Sequence, residues 1–121
     1  PRRSITFEEQ RMIVTTTNTL QNHPVSDYLG IVTGEAIQGA HIGRDILAGF
    51  RDVFGGRSAA YETTMREARE EAIREMIQAA RSRGADAVIG VDIDYEVLGK
   101  TGGMLMVTVA GTAVKLAAGA P

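Results

Sequence analysis

Residues 86–116 decide the fold and read DAVIGVDIDYEVL-GKTGG-MLMVTVAGTAVKL. The first run (86–98) alternates apolar and polar residues, and the second run (104–116) is rich in β-branched residues; both patterns are typical of strands. Residues 99–103 between them are polar and glycine-rich. Because this connection is short, we predict that the two strands form an antiparallel hairpin.

A long helix is predicted before the hairpin, over residues 58–83. Ser58 is a suitable N-cap, and Gly84 is a suitable residue to end the helix. The inner face of this helix is formed by residues spaced three or four apart: Tyr61, Met65, Ala68, Ala72, Met76 and Ala79. A shorter helix is predicted over residues 41–54, with an apolar stripe of Ile42, Ile46, Phe50, Val53 and Phe54.

Two further strands are predicted near the N-terminus, over residues 12–17 and 28–37, with a loop over 18–27 between them. Gly30 and Gly34 in the second of these strands indicate a bulge or the close approach of another backbone. The element order β, β, α, α, β, β predicts an α+β fold with a mostly antiparallel sheet and two consecutive helices. We assign one domain to residues 12–116, an added or unstructured leader to 1–11, and a frayed tail to 117–121.

The composition limits the classes of protein to which the chain can belong. Lysine plus arginine total 13 and aspartate plus glutamate total 15, and this net charge of −2 argues against nucleic-acid and membrane partners. The absence of cysteine excludes disulfides, thiolate metal sites and cysteine nucleophiles. The chain has three Tyr, three Phe and no Trp but 14 Gly, so its core contains few large side chains and buries little apolar area. We therefore predict that contacts with other subunits complete the core. No apolar signal-peptide core is present in the sequence, so a cytoplasmic location is expected.

An acidic row is the most distinctive chemical feature of the first hairpin strand. Asp92, Asp94 and Glu96 alternate with apolar residues, so their side chains are expected on one face of the strand. Carboxylates on one face can hold a hard divalent metal ion such as Ca²⁺ or Mg²⁺, particularly where a ring of subunits brings several rows together. A solvated acidic face is the alternative interpretation.

Four other side chains have weaker signals for metal binding. Met104 and Met106 share a face of the last strand, where their thioethers could bind Cu(I) or fill a core or a subunit seam. His41 and Asp45 are one helical turn apart, which suits a metal ion or an exposed helix start. With two histidines and no cysteine, a closed transition-metal site from one chain is not expected.

The region of the two predicted helices carries charges of both signs. Contacts between subunits are one interpretation of these charges, and solvated helix faces are the other. The candidate inter-subunit residues are Arg44, Asp45, Arg57, Tyr61 and Glu62. No G-x-S-x-G, H-E-x-x-H or G-x-G-x-x-G motif occurs, so the sequence assigns no catalytic residue and no cofactor-binding residue.

Several segments together resemble the YbjQ-like family, which carries a heavy-metal-binding label and has no known function. The matching segments are Gly34–Ile37, Arg44–Asp45, Gly55–Ser58, Tyr61–Glu62, Gly84–Val88, Gly90–Glu96, Met104–Val107 and Gly111–Val114. The resemblance implies a small α+β subunit that assembles into a five-fold ring in a bacterial cytoplasm. Because soft metals prefer thiolate or imidazole ligands, a metal site in this chain would fit the carboxylates of the acidic row better than any other group.

These observations predict a cytoplasmic homo-oligomer, as a pentameric ring, with a binding or structural role. One alternative is a module that binds a divalent metal ion through its carboxylates. The other is an enzyme whose site forms only between subunits, from Arg57, Tyr61, Glu62 and the acidic row. The sequence gives no reason to expect a nucleic-acid or membrane partner.

Overall fold

The computed structural model describes residues 12–38, 59–98 and 104–117. This part of the chain forms β1 (Ile13–Val14), β2 (Val25–Gln38), α1 (Ala59–Ser82), β3 (Ala87–Leu98) and β4 (Met104–Leu116). The strands form one sheet in the order β1-β3-β4-β2. The β1–β3 pair is parallel, whereas β3–β4 and β4–β2 are antiparallel. The fold is therefore α+β, with a mixed four-stranded sheet.

The predicted hairpin is confirmed. Strand β3 pairs with β4 from Ala87 opposite Val114 to Leu98 opposite Met104, with a register shift between Ile89 and Asp92. Gly90 lies in that shift with a φ of 63°, a conformation that favours glycine. The connection itself, residues 99–103, lies outside the described residues.

The long helix is confirmed, and its observed limits, Ala59–Ser82, differ from the predicted ones by one residue at each end. Gly84 follows it with a φ of 79°, and its N–H donates to the carbonyl of Arg81, which is typical of a helix C-terminus. The predicted helix over residues 41–54 lies outside the described residues. The five-fold ring also stays a prediction, because a single chain is described.

The two N-terminal strands differ in length from the prediction. Strand β1 covers only two residues, because Thr17 turns back and its backbone N–H donates to Oγ1 of Thr15. Strand β2 begins earlier than expected, at Val25, because Val25 pairs with Leu116 of β4. The loop between them therefore covers residues 15–24, which is the predicted length of ten residues shifted by three positions towards the N-terminus.

The main core lies between α1 and one face of the sheet and is built from small side chains. From α1 it takes Ala68, Ala72, Met76 and Ala80, and from the sheet Val32, Ala36, Val88, Val91, Val107, Val109 and Ala113. The predicted inner stripe of the helix is confirmed at Ala68, Ala72 and Met76. It shifts at the C-terminal end, where Ala80 is buried and Ala79 is half-buried.

Gly34 sets the distance between α1 and β2. A Cβ atom at this position would overlap the carbonyl oxygen of Ala72 and come within 2.8 Å of the backbone nitrogen of Met76. The predicted close backbone approach is therefore confirmed at Gly34. The bulge is confirmed at Gly30, which follows a register shift and has a φ of 101°.

Candidate functional site

The face of the sheet opposite α1, called here the open face, carries the acidic row. Strand pairing places Glu35, Thr108 and Asp94 side by side across β2, β4 and β3. The neighbouring cross-strand sets are Thr33, Ala110 and Asp92 on one side, and Ile37, Met106 and Glu96 on the other. A second small core is formed by Ala87, Ile89 and Val114. It lies on the same face, at the start of β3, and does not reach the acidic row.

The three carboxylates of the acidic row lie on one exposed face, as predicted from their spacing. The pKa of Asp94 is raised from its ordinary value of 3.8, because the carboxyls of Asp92 and Asp94 share a hydrogen bond and because Asp92 is negatively charged. Their β4 neighbours are Ala110, Thr108 and Met106, so no cation on β4 opposes the row. The row is thus an acidic surface whose neighbours on β4 carry no charge.

A single chain does not supply a closed metal site within the part that the structure describes. No three His, Asp or Glu side chains of that part are placed to hold one ion. Met104 and Met106 share the open face as predicted, but both are half-buried, and their neighbours on β3, Leu98 and Glu96, supply neither imidazole nor thiolate. A carboxylate site that includes Asp92, Asp94 and Glu96 therefore stays a prediction about several copies of the chain.

Both edges of the sheet are open in the part of the chain that the structure describes. At one edge, β1 and the residues after it pair with β3 only as far as Val91, whose N–H donates to the carbonyl of Thr15. Residues Asp92–Leu98 have no strand on that side among the described residues. The other edge of the described sheet is β2, a strand of 14 residues. Within the described ranges, five large apolar side chains are exposed, and all of them lie on these two strands: Tyr28, Ile31, Ile37, Tyr95 and Val97.

A groove of about 350 Å³ lies between α1 and the free edge of β2. Its lining is polar and comprises Glu35, Glu71, Arg74, Glu75 and Gln78. Glu75 Oε1 accepts a hydrogen bond from the backbone N–H of Glu35 over 2.6 Å. Nearer the helix end, Arg83 donates to the carbonyl of Leu29 over 2.8 Å. Glu75 of α1 and Arg83, the residue after α1, therefore occupy backbone groups of β2 that a neighbouring strand would otherwise use.

Sequence reasoning missed Glu75 and Arg83, because helical periodicity assigns both to the outer face without saying what lies beside them. Of the predicted inter-subunit residues, Arg44, Asp45 and Arg57 lie outside the described residues. The backbone of Tyr61 is helical, but its side chain is not among those described. Glu62 is half-buried in the first turn of α1. His41 also lies outside the described residues.

Comparison with known proteins gives a family match and a fold match. A family model described as "Putative heavy-metal-binding" matches residues 12–117. A crystal structure of a protein of unknown function of the DUF74 family, from Pediococcus pentosaceus, is similar with a TM-score of 0.64 and 18% identity. That similarity covers 88% of this chain and 98% of the other, and it supports the fold alone.

The described residues include no helix that is both long enough and apolar enough to cross a bilayer.

Proposed function

Because this chain belongs to the YbjQ-like family with its heavy-metal-binding label, we propose that it is a homo-oligomeric binding or structural protein. The observation that carries the proposal is that, among the described residues, all five exposed large apolar side chains lie on β2 and β3, the two strands whose edges are unpaired there. The pentameric ring and the cytoplasmic location rest on the family resemblance. No catalytic step is part of the proposal.

The energetics of the free edges support assembly. Ile31 is 69% exposed and Ile37 is 55% exposed, and burying such a side chain fully contributes about 1.5–3 kcal/mol. A long edge strand with exposed apolar residues aggregates unless it is covered or paired. The core inside the chain is built largely from Ala and Val, so contacts between copies would add apolar burial that one chain lacks.

Size-exclusion chromatography with multi-angle light scattering tests the assembly. The expected mass is five times the 12.9 kDa of one chain. A variant with Ile31→Lys and Val97→Lys, which places a charge on each free edge, is expected to lower that mass. The matched control is Thr63→Lys with Glu67→Lys, two exposed positions of α1 that lie away from both edges of the sheet. A monomer of the unmodified protein at micromolar concentration would rule the proposal out.

A second candidate function is binding of a divalent metal ion by carboxylates. The specific observation in its favour is that Asp92, Asp94 and Glu96 lie on one exposed face of β3, where the proximity of Asp92 raises the pKa of Asp94. Repetition of the row around a ring would supply further oxygen ligands, which Ca²⁺ needs in numbers of six to eight.

Elemental analysis of the purified protein and a thermal-shift screen with Ca²⁺, Mg²⁺ and Mn²⁺ test this second function. Stabilisation by one of these ions is expected, with loss of the shift in the variant Asp92→Asn/Asp94→Asn. Glu67→Gln/Glu70→Gln on α1 is the matched control, which removes two carboxylates elsewhere. An unchanged shift in the aspartate variant would remove this candidate.

A further inference from the structure

The edge of β3 beyond Val91 has a regular series of backbone groups that no described strand pairs with. The N–H of Val91 donates to the carbonyl of Thr15, so it is directed away from β4. Because backbone direction alternates along a strand of an antiparallel pair, the N–H and C=O groups of Ile93, Tyr95 and Val97 are directed outward as well. Among the described residues, none makes a hydrogen bond to these outward groups.

Space for a further strand exists beside β3 but not beside β2. Helix α1 lies mainly over β2 and β4, and it contacts this part of β3 through Arg69, whose Nη1 donates to Oη of Tyr95 over 3.1 Å. On β2, by contrast, the side chains of Glu75 and Arg83 already bond to outward backbone groups. A strand from outside the chain can therefore add to β3 without displacing the helix.

The two faces of this edge have opposite character. Ile93, Tyr95 and Val97 direct their side chains to the face of the sheet that α1 partly covers, where Ile93 packs against the main core. Tyr95 is 42% exposed and Val97 is 54% exposed, because the helix does not reach over them. The acidic row lies on the open face of the same residues' neighbours. The edge is thus apolar on one face and negatively charged on the other.

We infer that the edge of β3 binds an extended segment of another protein in which Lys or Arg alternates with apolar residues. The segment adds a strand to the sheet, and its backbone pairs with Ile93, Tyr95 and Val97. Its apolar side chains extend the exposed apolar surface, and its cations lie opposite Asp94 and Glu96. In an antiparallel arrangement these two are non-hydrogen-bonded positions, where Cα atoms are about 4.5 Å apart and opposite charges stabilise the pair.

Charge distinguishes this occupant from a second copy of the chain. The neighbours of the acidic row on β4 are uncharged, so a cation beside the row has to come from the added strand or from solvent. Strand β3 of a second copy would bring a second acidic row, and β2 carries Glu35 on its open face. Both place like charges side by side, which is destabilising. Neither described strand with an unpaired edge fits, so the partner is a different protein.

The inference adds a partner to the proposed homo-oligomer and does not depend on the number of copies. It leaves the apolar surface of β2, with Ile31 and Ile37, for contacts between copies.

A synthetic peptide tests the inference. Fluorescein-labelled Lys-Val-Lys-Val-Lys-Val-Lys, as long as the stretch Asp92–Leu98, is titrated with the full chain, and fluorescence anisotropy measures the dissociation constant. The control peptide Lys-Lys-Lys-Val-Val-Val-Lys has the same composition and charge without the alternation. We expect the alternating peptide to bind at least about tenfold more tightly, because only it matches both faces of the edge. Equal affinities would overturn the inference, since attraction between charges alone would then explain the binding.

Variants at Val97 test the backbone pairing. Because the N–H of this residue is directed outward, Val97→Pro removes it without breaking a bond to β4. Val97→Ala shortens the side chain and keeps the N–H. We expect Val97→Pro to weaken binding of the alternating peptide about tenfold and Val97→Ala about threefold. An equal effect of the two variants would overturn the strand pairing.

Variants of the acidic row test the charge complementarity and do not alter the backbone. Asp94→Asn/Glu96→Gln is expected to weaken binding of the alternating peptide about tenfold. Glu67→Gln/Glu70→Gln, which removes two exposed carboxylates of α1, is the matched control and is expected to leave the dissociation constant unchanged. Equal weakening in both variants would overturn the inference.

Light scattering with and without the peptide separates this inference from the proposed function. An oligomer that does not bind the alternating peptide overturns the inference and leaves the proposed function standing. A fall in oligomer mass on addition of the peptide also overturns it, because a second copy would then occupy the edge of β3. A monomer that binds the alternating peptide overturns the homo-oligomer and leaves the inference standing.

Discussion

The carboxylate of Glu75 accepts a hydrogen bond from the backbone N–H of Glu35, with 2.6 Å between Oε1 and N. This contact joins the middle of α1 to the free edge of β2. Arg83 makes the corresponding contact with the carbonyl of Leu29 at the start of the strand. Glu75 and Arg83 thus satisfy backbone groups of an edge strand that has no neighbouring strand on that side among the described residues.

The first prediction concerns this contact. In dilute protein, where single copies predominate, Glu75→Ala is expected to lower the free energy of unfolding by about 1 kcal/mol, the contribution of one solvent-exposed hydrogen bond. Glu71→Ala is the matched control, because Glu71 lines the same groove without bonding to β2. Urea unfolding measures the loss, and amide hydrogen exchange of Glu35 is expected to accelerate only in Glu75→Ala. Equal exchange in both variants would contradict the prediction.

The second prediction concerns Gly34. The substitution Gly34→Ala is expected to lower the free energy of unfolding by about 3 kcal/mol or more, because the added Cβ meets the backbone of α1, which cannot move alone. Gly84→Ala is the control: nothing lies within 4 Å of its Cβ, so only its φ of 79° costs energy, about 1 kcal/mol. Thermal or urea unfolding measures both, and similar losses would contradict the structure.

The third prediction concerns pH. The pKa of Asp94 is raised in the folded chain by its hydrogen bond with Asp92 and by the charge of Asp92. The folded state therefore holds this proton more tightly than the unfolded state does. The resulting stability is fully present below the unfolded value of about 3.9 and is lost as the pH rises through the raised folded value.

Substitution of Asp92 isolates this effect. In Asp92→Asn the pKa of Asp94 is expected to fall towards 3.8, and stability relative to the unmodified chain is expected to rise between pH 3 and pH 6. Carboxyl-carbon NMR titration measures the pKa, and urea unfolding across that range measures the stability difference. Glu67→Gln, on the outer face of α1, is the control for loss of one negative charge. A flat difference for Asp92→Asn would contradict the prediction.

The fourth prediction distinguishes the two free edges. Ile31→Asp places a charge on the exposed apolar surface of β2, so the dissociation constant of a contact between copies along β2 is expected to rise about 100-fold. Val97→Asp on β3 places the same charge on the other edge and is expected to leave that contact intact. Sedimentation velocity over a concentration series measures both. A larger effect of Val97→Asp would indicate that β3 carries the contact.

The hairpin and the long helix were predictable because their signals are local. Alternation along residues 86–98 and the short connection determine an antiparallel pair, and the apolar stripe of α1 fixes which face is buried. Gly34 was recognisable as a close approach, since glycine in a β-branched run leaves room for another backbone. The identity of that backbone, Ala72 and Met76, is a tertiary property.

The strand order and the edges were not predictable from the residues. Strand β1 is parallel to β3 through two residues that lie far from their partners in sequence, and no periodicity encodes such a pairing. Glu75 and Arg83 are ordinary outer-face residues until the position of β2 is known. For the candidate site, the alternation in the sequence correctly predicted that Asp92, Asp94 and Glu96 lie on one face. It could not show that the neighbours of the two aspartates on β4, Ala110 and Thr108, are uncharged, because that depends on the register of the strands.

The sheet order has a consequence for biosynthesis. Strand β2 emerges early from the ribosome, yet the strand it pairs with in the described sheet is β4, which ends at Leu116. Throughout synthesis of α1 and β3, the nascent chain presents Ile31 and Ile37 on a strand without its native neighbour. Translation that stops before Met104 therefore leaves a product whose longest strand cannot pair as it does in the native sheet, a substrate for chaperones and proteases.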